Sequence, residues 1–145
     1  MASLSIEIAD AVANTLNTAP EATFSQRFQA IMRLLPQFEL EKLTGLEVSV
    51  VPKAIEMTAA SRTLSQVDVS VDIGVMKKLG RKTDAEAEPL MELVQEIIDY
   101  MHNRQLTGIS NHAWIRAANE PIYAPDYLEQ NLFVSVITLT YRVLR

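Results

Sequence analysis

The chain has no cysteine, which removes disulfides, thiolate metal sites and cysteine nucleophiles together and fits folding in a reducing cytoplasm. Glycine is scarce and scattered, at Gly45, Gly74, Gly80 and Gly108, so no loop has the clustered glycines that cradle a phosphate. Ser61, Ser65, Ser70 and Ser135 lack flanking glycines, and no nucleophile elbow results. The histidines His102 and His112 stand apart from any Cys, Asp or Glu at zinc-ligand spacing, so no metal role is expected. No stretch approaches the ~20 apolar residues of a membrane-spanning helix, and Met1 to Asp10 lacks a basic region followed by an apolar run, so no membrane partner and no export signal are expected. Positive charge is in deficit too: a net charge of -5 repels a phosphate backbone, which nucleic-acid binders neutralise with clustered Lys and Arg. These absences leave catalysis, cofactor binding and generic DNA binding without support.

What is present suits one packed domain. At 145 residues, 48% hydrophobic and 21% charged, the chain has the length and composition of a globular unit with an ordinary core. Its organising stretch is Gln66 to Met76, where Val67, Val69, Val71, Ile73 and Val75 alternate with Gln66, Asp68, Ser70 and Asp72. That is the period of a strand with one face toward a core.

Ile8, Val12 and Leu16, joined by Ala9 and Ala13, predict an amphipathic helix over Ser5 to Asn17, closed by Pro20. Phe24 to Leu35 suits either a helix or a strand, and strand is the preferred reading. After Pro36, residues Gln37 to Gly45 form a connection. Leu46, Val48 and Val50 predict a short strand ended by Pro52, and Ala54 to Arg62 a connector. Pro89 is placed in the first turn of a helix carried by Leu90, Leu93, Val94, Ile97, Ile98 and Met101, ending near Asn103 to Gly108. Ala113 to Asn119 is a further strand. Pro121 and Pro125 hold Glu120 to Tyr127 out of a regular ladder. Leu132 to Leu144, rich in β-branched and aromatic residues, predicts a long strand in the middle of the sheet. The expected fold is α+β: a mainly antiparallel sheet of four to five strands with an N-terminal helix and a central helix packed on it, as one domain over 1–145.

Three groups of side chains are candidates for contact rather than chemistry. Asp68 and Asp72 share one strand face but lie about 13 Å apart at the usual rise, too far for carboxylates sharing one reacting bond; a solvated face or a subunit boundary suits them. Lys77, Lys78, Arg81 and Lys82 form a basic turn, either solvated or a docking tip for an acidic partner. Trp114, Tyr123 and Tyr127 are either core residues or interface anchors, the two tyrosines falling in the proline-stiffened connection.

The runs Leu43-Thr44-Gly45-Leu46-Glu47-Val48-Ser49-Val50-Val51-Pro52, Ser61-Arg62, Val69 to Lys78 and Pro89 to Val94, with the ending Glu120 to Tyr123 and Phe133 to Tyr141, resemble a family of small tailed-bacteriophage virion proteins. The element order is similar to that of tail terminators. The resemblance implies a homo-oligomeric, hexameric ring that caps the tail tube protein, ends its polymerisation and meets the neck or connector proteins, while DNA passes through without specific binding. It also implies no cofactor, no catalysis, and a place in the virion after assembly in the host cytoplasm. The family supplies no short binding motif, so Asp68 and Asp72 as lumen-facing acids, Lys77, Lys78, Arg81 and Lys82 as docking residues, and Trp114, Tyr123 and Tyr127 as subunit-interface residues are expectations from the residues themselves. A head-completion or neck connector protein is the related alternative. A monomeric ligand- or peptide-binding domain using the Trp114 to Tyr127 region is the alternative of another class.

Overall fold

A computed structural model describes residues 3–34, 45–81, 83–120 and 122–145. The chain begins its regular structure with α1 (Leu4–Asn17), whose N-cap Ser3 accepts a hydrogen bond from the Ile6 N–H at 3.3 Å, satisfying one of the free donors at a helix start. Its stripe Ile8, Ala9, Val12 and Leu16 is buried and packs on the strands β1 (Ala30–Met32), β2 (Glu47–Ala59) and β3 (Ser65–Lys78). The remaining elements are α2 (Thr83–Met101), β4 (His112–Asn119), α3 (Pro125–Leu128) and β5 (Leu132–Leu144).

One sheet runs in the order β1-β2-β3-β5-β4, antiparallel throughout except for the parallel β1–β2 pair. The expected α+β architecture is therefore the observed one, and the valine ribbon sits at the sheet centre between β2 and β5. Val67, Val69, Val71, Ile73 and Val75 are all at 0% exposure, matched by Phe133, Ile137, Leu139 and Tyr141 from β5 on the same face. α1 and α2 roof that face, α2 through Leu90, Leu93, Val94, Ile97 and Met101. Among the described residues, no helix roofs the opposite face except at one end. There α3 packs beside Met76, Leu132 and Val134.

Three expectations need correction. The strand expected to end at Pro52 runs on to Ala59. The Val50 carbonyl accepts from the Arg33 N–H on the β1 side at 2.9 Å, and antiparallel residues alternate in direction, so the nitrogen of Pro52 also faces away from β3. A proline there costs β3 no ladder bond, and a bulge at Lys53 lets the strand continue. The second helix begins at Thr83, and Pro89 lies inside it rather than in its first turn; the acids Asp84 and Glu86 occupy that first turn instead, where the helix dipole favours them.

Within Phe24 to Leu35 only Ala30–Met32 is strand, with Leu35 outside the described residues. The four-residue spacing of Phe24 and Phe28 reflects an aromatic cluster on a loop. Their rings stand 5.1 Å apart, and Phe24 meets Tyr100 of α2 edge-on at 5.4 Å. Ser25 fastens the loop to the same helix through Glu96, its N–H at 3.0 Å and its hydroxyl at 2.8 Å from Oε1. The connection Glu120 to Tyr127 contains the single-turn helix α3, started by Pro125. The expected connection Gln37 to Gly45 lies outside the described residues up to Thr44.

Candidate functional site

The unroofed face is where strand register brings charges together. Asp68 stands opposite Arg142 and Asp72 opposite Thr138. Arg142 Nε donates to Asp68 Oδ1 at 2.9 Å and its Nη2 to Oδ2 at 3.3 Å, the two-pronged geometry that only a guanidinium gives. That hydrogen bond holds the Arg142 pKa above its already high ordinary value. Thr138 Oγ1 donates to Asp72 Oδ1 at 2.6 Å, and Lys53 Nζ reaches the same oxygen at 3.8 Å from the bulge in β2. Between them the Ser70 and Thr140 hydroxyls meet at 3.1 Å. Both predicted acids thus belong to a polar ladder with a cation beside each, tying β2, β3 and β5 together.

The basic turn is not a single patch. Lys77 and Lys78 are the last residues of β3, so their side chains leave opposite faces of the sheet. Leu79 is buried, its N–H donating to the Asn131 carbonyl at 2.7 Å, and the Gly80 N–H donates to Glu86 Oε2 at 2.7 Å. Arg81 is exposed beyond this pinned turn, and Lys82 lies outside the described residues.

The predicted aromatics are divided by the sheet. Trp114 pairs with Tyr141 on the helix side and packs against the main core, with the His102 ring edge-on at 4.8 Å. Tyr127 packs on the other side beside Met76, Leu132 and Val134. Tyr123 is 38% exposed in the connection before α3. A pocket shared by Trp114 and Tyr127 has no geometric basis, since the sheet stands between them. His112 is committed internally: Nε2 accepts from the Leu106 N–H and Nδ1 donates to the Ile109 carbonyl, both at 2.8 Å. Neither nitrogen is left for a ligand. Among the described residues no group of three or more His, Asp or Glu could hold a metal ion.

Two features were not singled out from sequence. On the unroofed face a cleft of about 150 Å³ is lined by Ser49, Val51, Gly74, Met76, Val134 and Val136 with Asp72 at its edge; the missing side chain at Gly74 opens it. The second feature is β2 itself, which from Lys53 to Ala59 is exposed on both faces. Ile55 is 52% and Met57 64% exposed, although they stand level with the fully buried Val69 and Val67. The alternation Ile55-Glu56-Met57-Thr58 was visible in the sequence, but Pro52 hid it as a strand signal.

Neither a family model nor a curated protein matches the chain. No helix among the described residues is long and apolar enough to cross a membrane. The fold and its surfaces define a sheet-and-helix domain with an open strand arm and a polar, unroofed face.

Proposed function

We propose that the protein is a structural virion component that forms a ring capping a phage tail tube, ending tube growth and joining the tail to the neck. The observation that carries this reading is the arm of β2, where Ile55 and Met57 lie exposed with no element over them among the described residues. Exposed apolar residues in a row on an edge strand invite another chain. The family resemblance of the sequence supports the particular role.

A subunit with unlike side surfaces closes into a ring by heterologous contacts. One ring face copies the stacking surface of the tube and the other does not, so polymerisation stops there. The unroofed face lines the channel in this reading. Its acids Asp68 and Asp72 each have a cation at hand, so the wall offers passing DNA little net attraction. Lys77, Lys78, Arg81 and Lys82 are assigned to the neck-facing end.

Solution mass and electron microscopy of the purified protein, alone and mixed with isolated tail tubes, test the reading. Closed rings seated on tube ends are expected. A protein that stays monomeric in the presence of tubes overturns it, and rings that bind the neck but not tubes replace it with the connector role. Charge reversal at Lys77, Lys78, Arg81 and Lys82 should prevent tail–neck joining. Asp68→Lys with Asp72→Lys should slow DNA ejection, and unchanged ejection removes those acids from the channel.

A further inference from the structure

We infer that the two open edges of the sheet are the two halves of one intersubunit contact, β4 of one copy adding antiparallel to the β2 arm of the next. The contact deepens the ring reading and rests on it for closure into a ring. The first observation is level. Following the ladder across the sheet, His112 lies level with Val143, Val67 and Met57; Trp114 with Tyr141, Val69 and Ile55; and Ala117 with Leu139, Val71 and Pro52. β1 covers β2 only at Val48–Val50. The uncovered stretch of β2 therefore spans the same height of the sheet as β4.

The second observation is direction. β2 and β5 run one way and β3 and β4 the other, so copies laid side by side bring β4 against β2 in antiparallel sense. The Ala60 N–H donates to the Leu64 carbonyl at 3.0 Å, so alternation turns the backbone groups of Thr58, Glu56 and Ala54 toward β3 and those of Met57 and Ile55 outward. On the other edge the Leu144 N–H donates to the Asn111 carbonyl at 3.1 Å. Ala113 therefore faces β5, whereas His112 and Trp114 face out; past the bulge before Arg116, Ala117 faces out. The outward residues fall level with one another: Met57 with His112 and Ile55 with Trp114. Each such pair exchanges both its N–H···O=C bonds when the edges meet.

Side chains agree with the backbone. On the helix side, Trp114 of one copy covers the exposed Ile55 of the next, an aromatic against β-branched pair that stabilises antiparallel strands. On the unroofed side, Glu56 and Arg116 are both exposed and make no ion pair among the described residues. Arg116 is level with Ala54, one diagonal step from Glu56, within reach of a long side chain. β1 blocks sliding in one direction, and Pro52, with no N–H to give, ends the ladder on that side.

The test uses the full chain. Ile55→Pro and Ala117→Pro each remove an outward N–H without removing a bond inside the sheet, and circular dichroism checks that both variants fold. Each alone is expected to be monomeric: Ile55→Pro breaks the exchange with Trp114, and Ala117→Pro removes the N–H that meets the Pro52 carbonyl and sets its ring against the neighbouring strand. Their equimolar mixture should give a one-to-one dimer and nothing larger, because one intact β4 edge meets one intact β2 edge. Glu56→Arg or Arg116→Glu alone should weaken association about tenfold, and the double variant E56R/R116E should regain it. Wild-type rings that persist in both folded proline variants overturn the edge contact and leave the ring reading standing. A wild type that associates through these edges but never caps a tube keeps the contact and overturns the tail reading. A wild type that never self-associates overturns both.

Discussion

The two halves of β2 make the sharpest contrast in the molecule. In the half from Glu47 to Pro52 the strand lies between β1 and β3 at Val48–Val50, with Val48 and Val50 at 0% exposure under α1. From Lys53 to Ala59 it pairs, among the described residues, only with β3 and is exposed on both faces. Both halves alternate apolar and polar residues, so local pattern cannot separate a buried strand from an open one. The difference lies in what the neighbouring elements cover, and it locates the surface available to another chain.

Replacing a residue at the covered centre should break the fold most. Ile73→Ala, at 0% exposure, is expected to cost about 2–5 kcal/mol in urea unfolding, lost transfer energy plus a cavity. Ile55→Ala on the arm should change the stability of the isolated subunit by no more than about 0.5 kcal/mol. Equal losses at the two sites would show that the arm is covered by its own chain.

The cover at the first half depends on β1, and β1 on one amide. Asn17 Nδ2 donates to the Ala30 carbonyl at 2.8 Å, and the Ala30 N–H donates to Asn17 Oδ1 at 2.7 Å, so a side chain on α1 acts as the missing strand neighbour. Asn17→Ala leaves both backbone groups unpaired and should cost about 1–3 kcal/mol. Faster hydrogen exchange at Val48 and Val50, without change at Ile55, would mark the loss as confined to the covered half.

Tyr141 sharpens the comparison from the β5 side. Its buried hydroxyl has no hydrogen-bond partner among the described residues, and burial raises its pKa above the ordinary value of 10.0, with the charge of Arg104 opposing. The folded state therefore keeps a proton that the unfolded chain releases. Its contribution to stability is full below about pH 10 and lost as pH rises above it. Tyr141→Phe should change neutral-pH stability by less than about 1 kcal/mol, having no bond to lose, and should flatten the alkaline decline in chemical-denaturation series run from pH 8 to 11. A similarly small effect belongs to Pro52→Ala, which frees the unfolded chain and should lower stability by at most about 1 kcal/mol. Because it restores an outward N–H, it should also strengthen self-association.

Much of the fold was legible because burial follows period. The alternation of Val67 to Val75, the helical spacing of Leu90 to Met101 and the run Leu132 to Leu144 each report one covered face, and all became the elements expected. The candidate site was less legible. Asp68 and Asp72 were visible as a same-face pair, but not their partners: Arg142 and Thr138 lie more than sixty residues away in the chain. Trp114 on its strand and Tyr127 in the following connection looked like parts of one surface, yet they sit on either side of the sheet. Lys77 and Lys78 looked like one patch, and strand pleating sends them apart.

By itself the sequence determined the elements, the absence of thiol chemistry, and which face of each strand and helix is apolar, because these depend on residue type and short-range periodicity. Only the tertiary structure decided the strand order, the pairing of Asp68 with Arg142, and the open stretch of β2 level with the open edge of β4. Those depend on register between segments far apart in the chain, which no local pattern encodes.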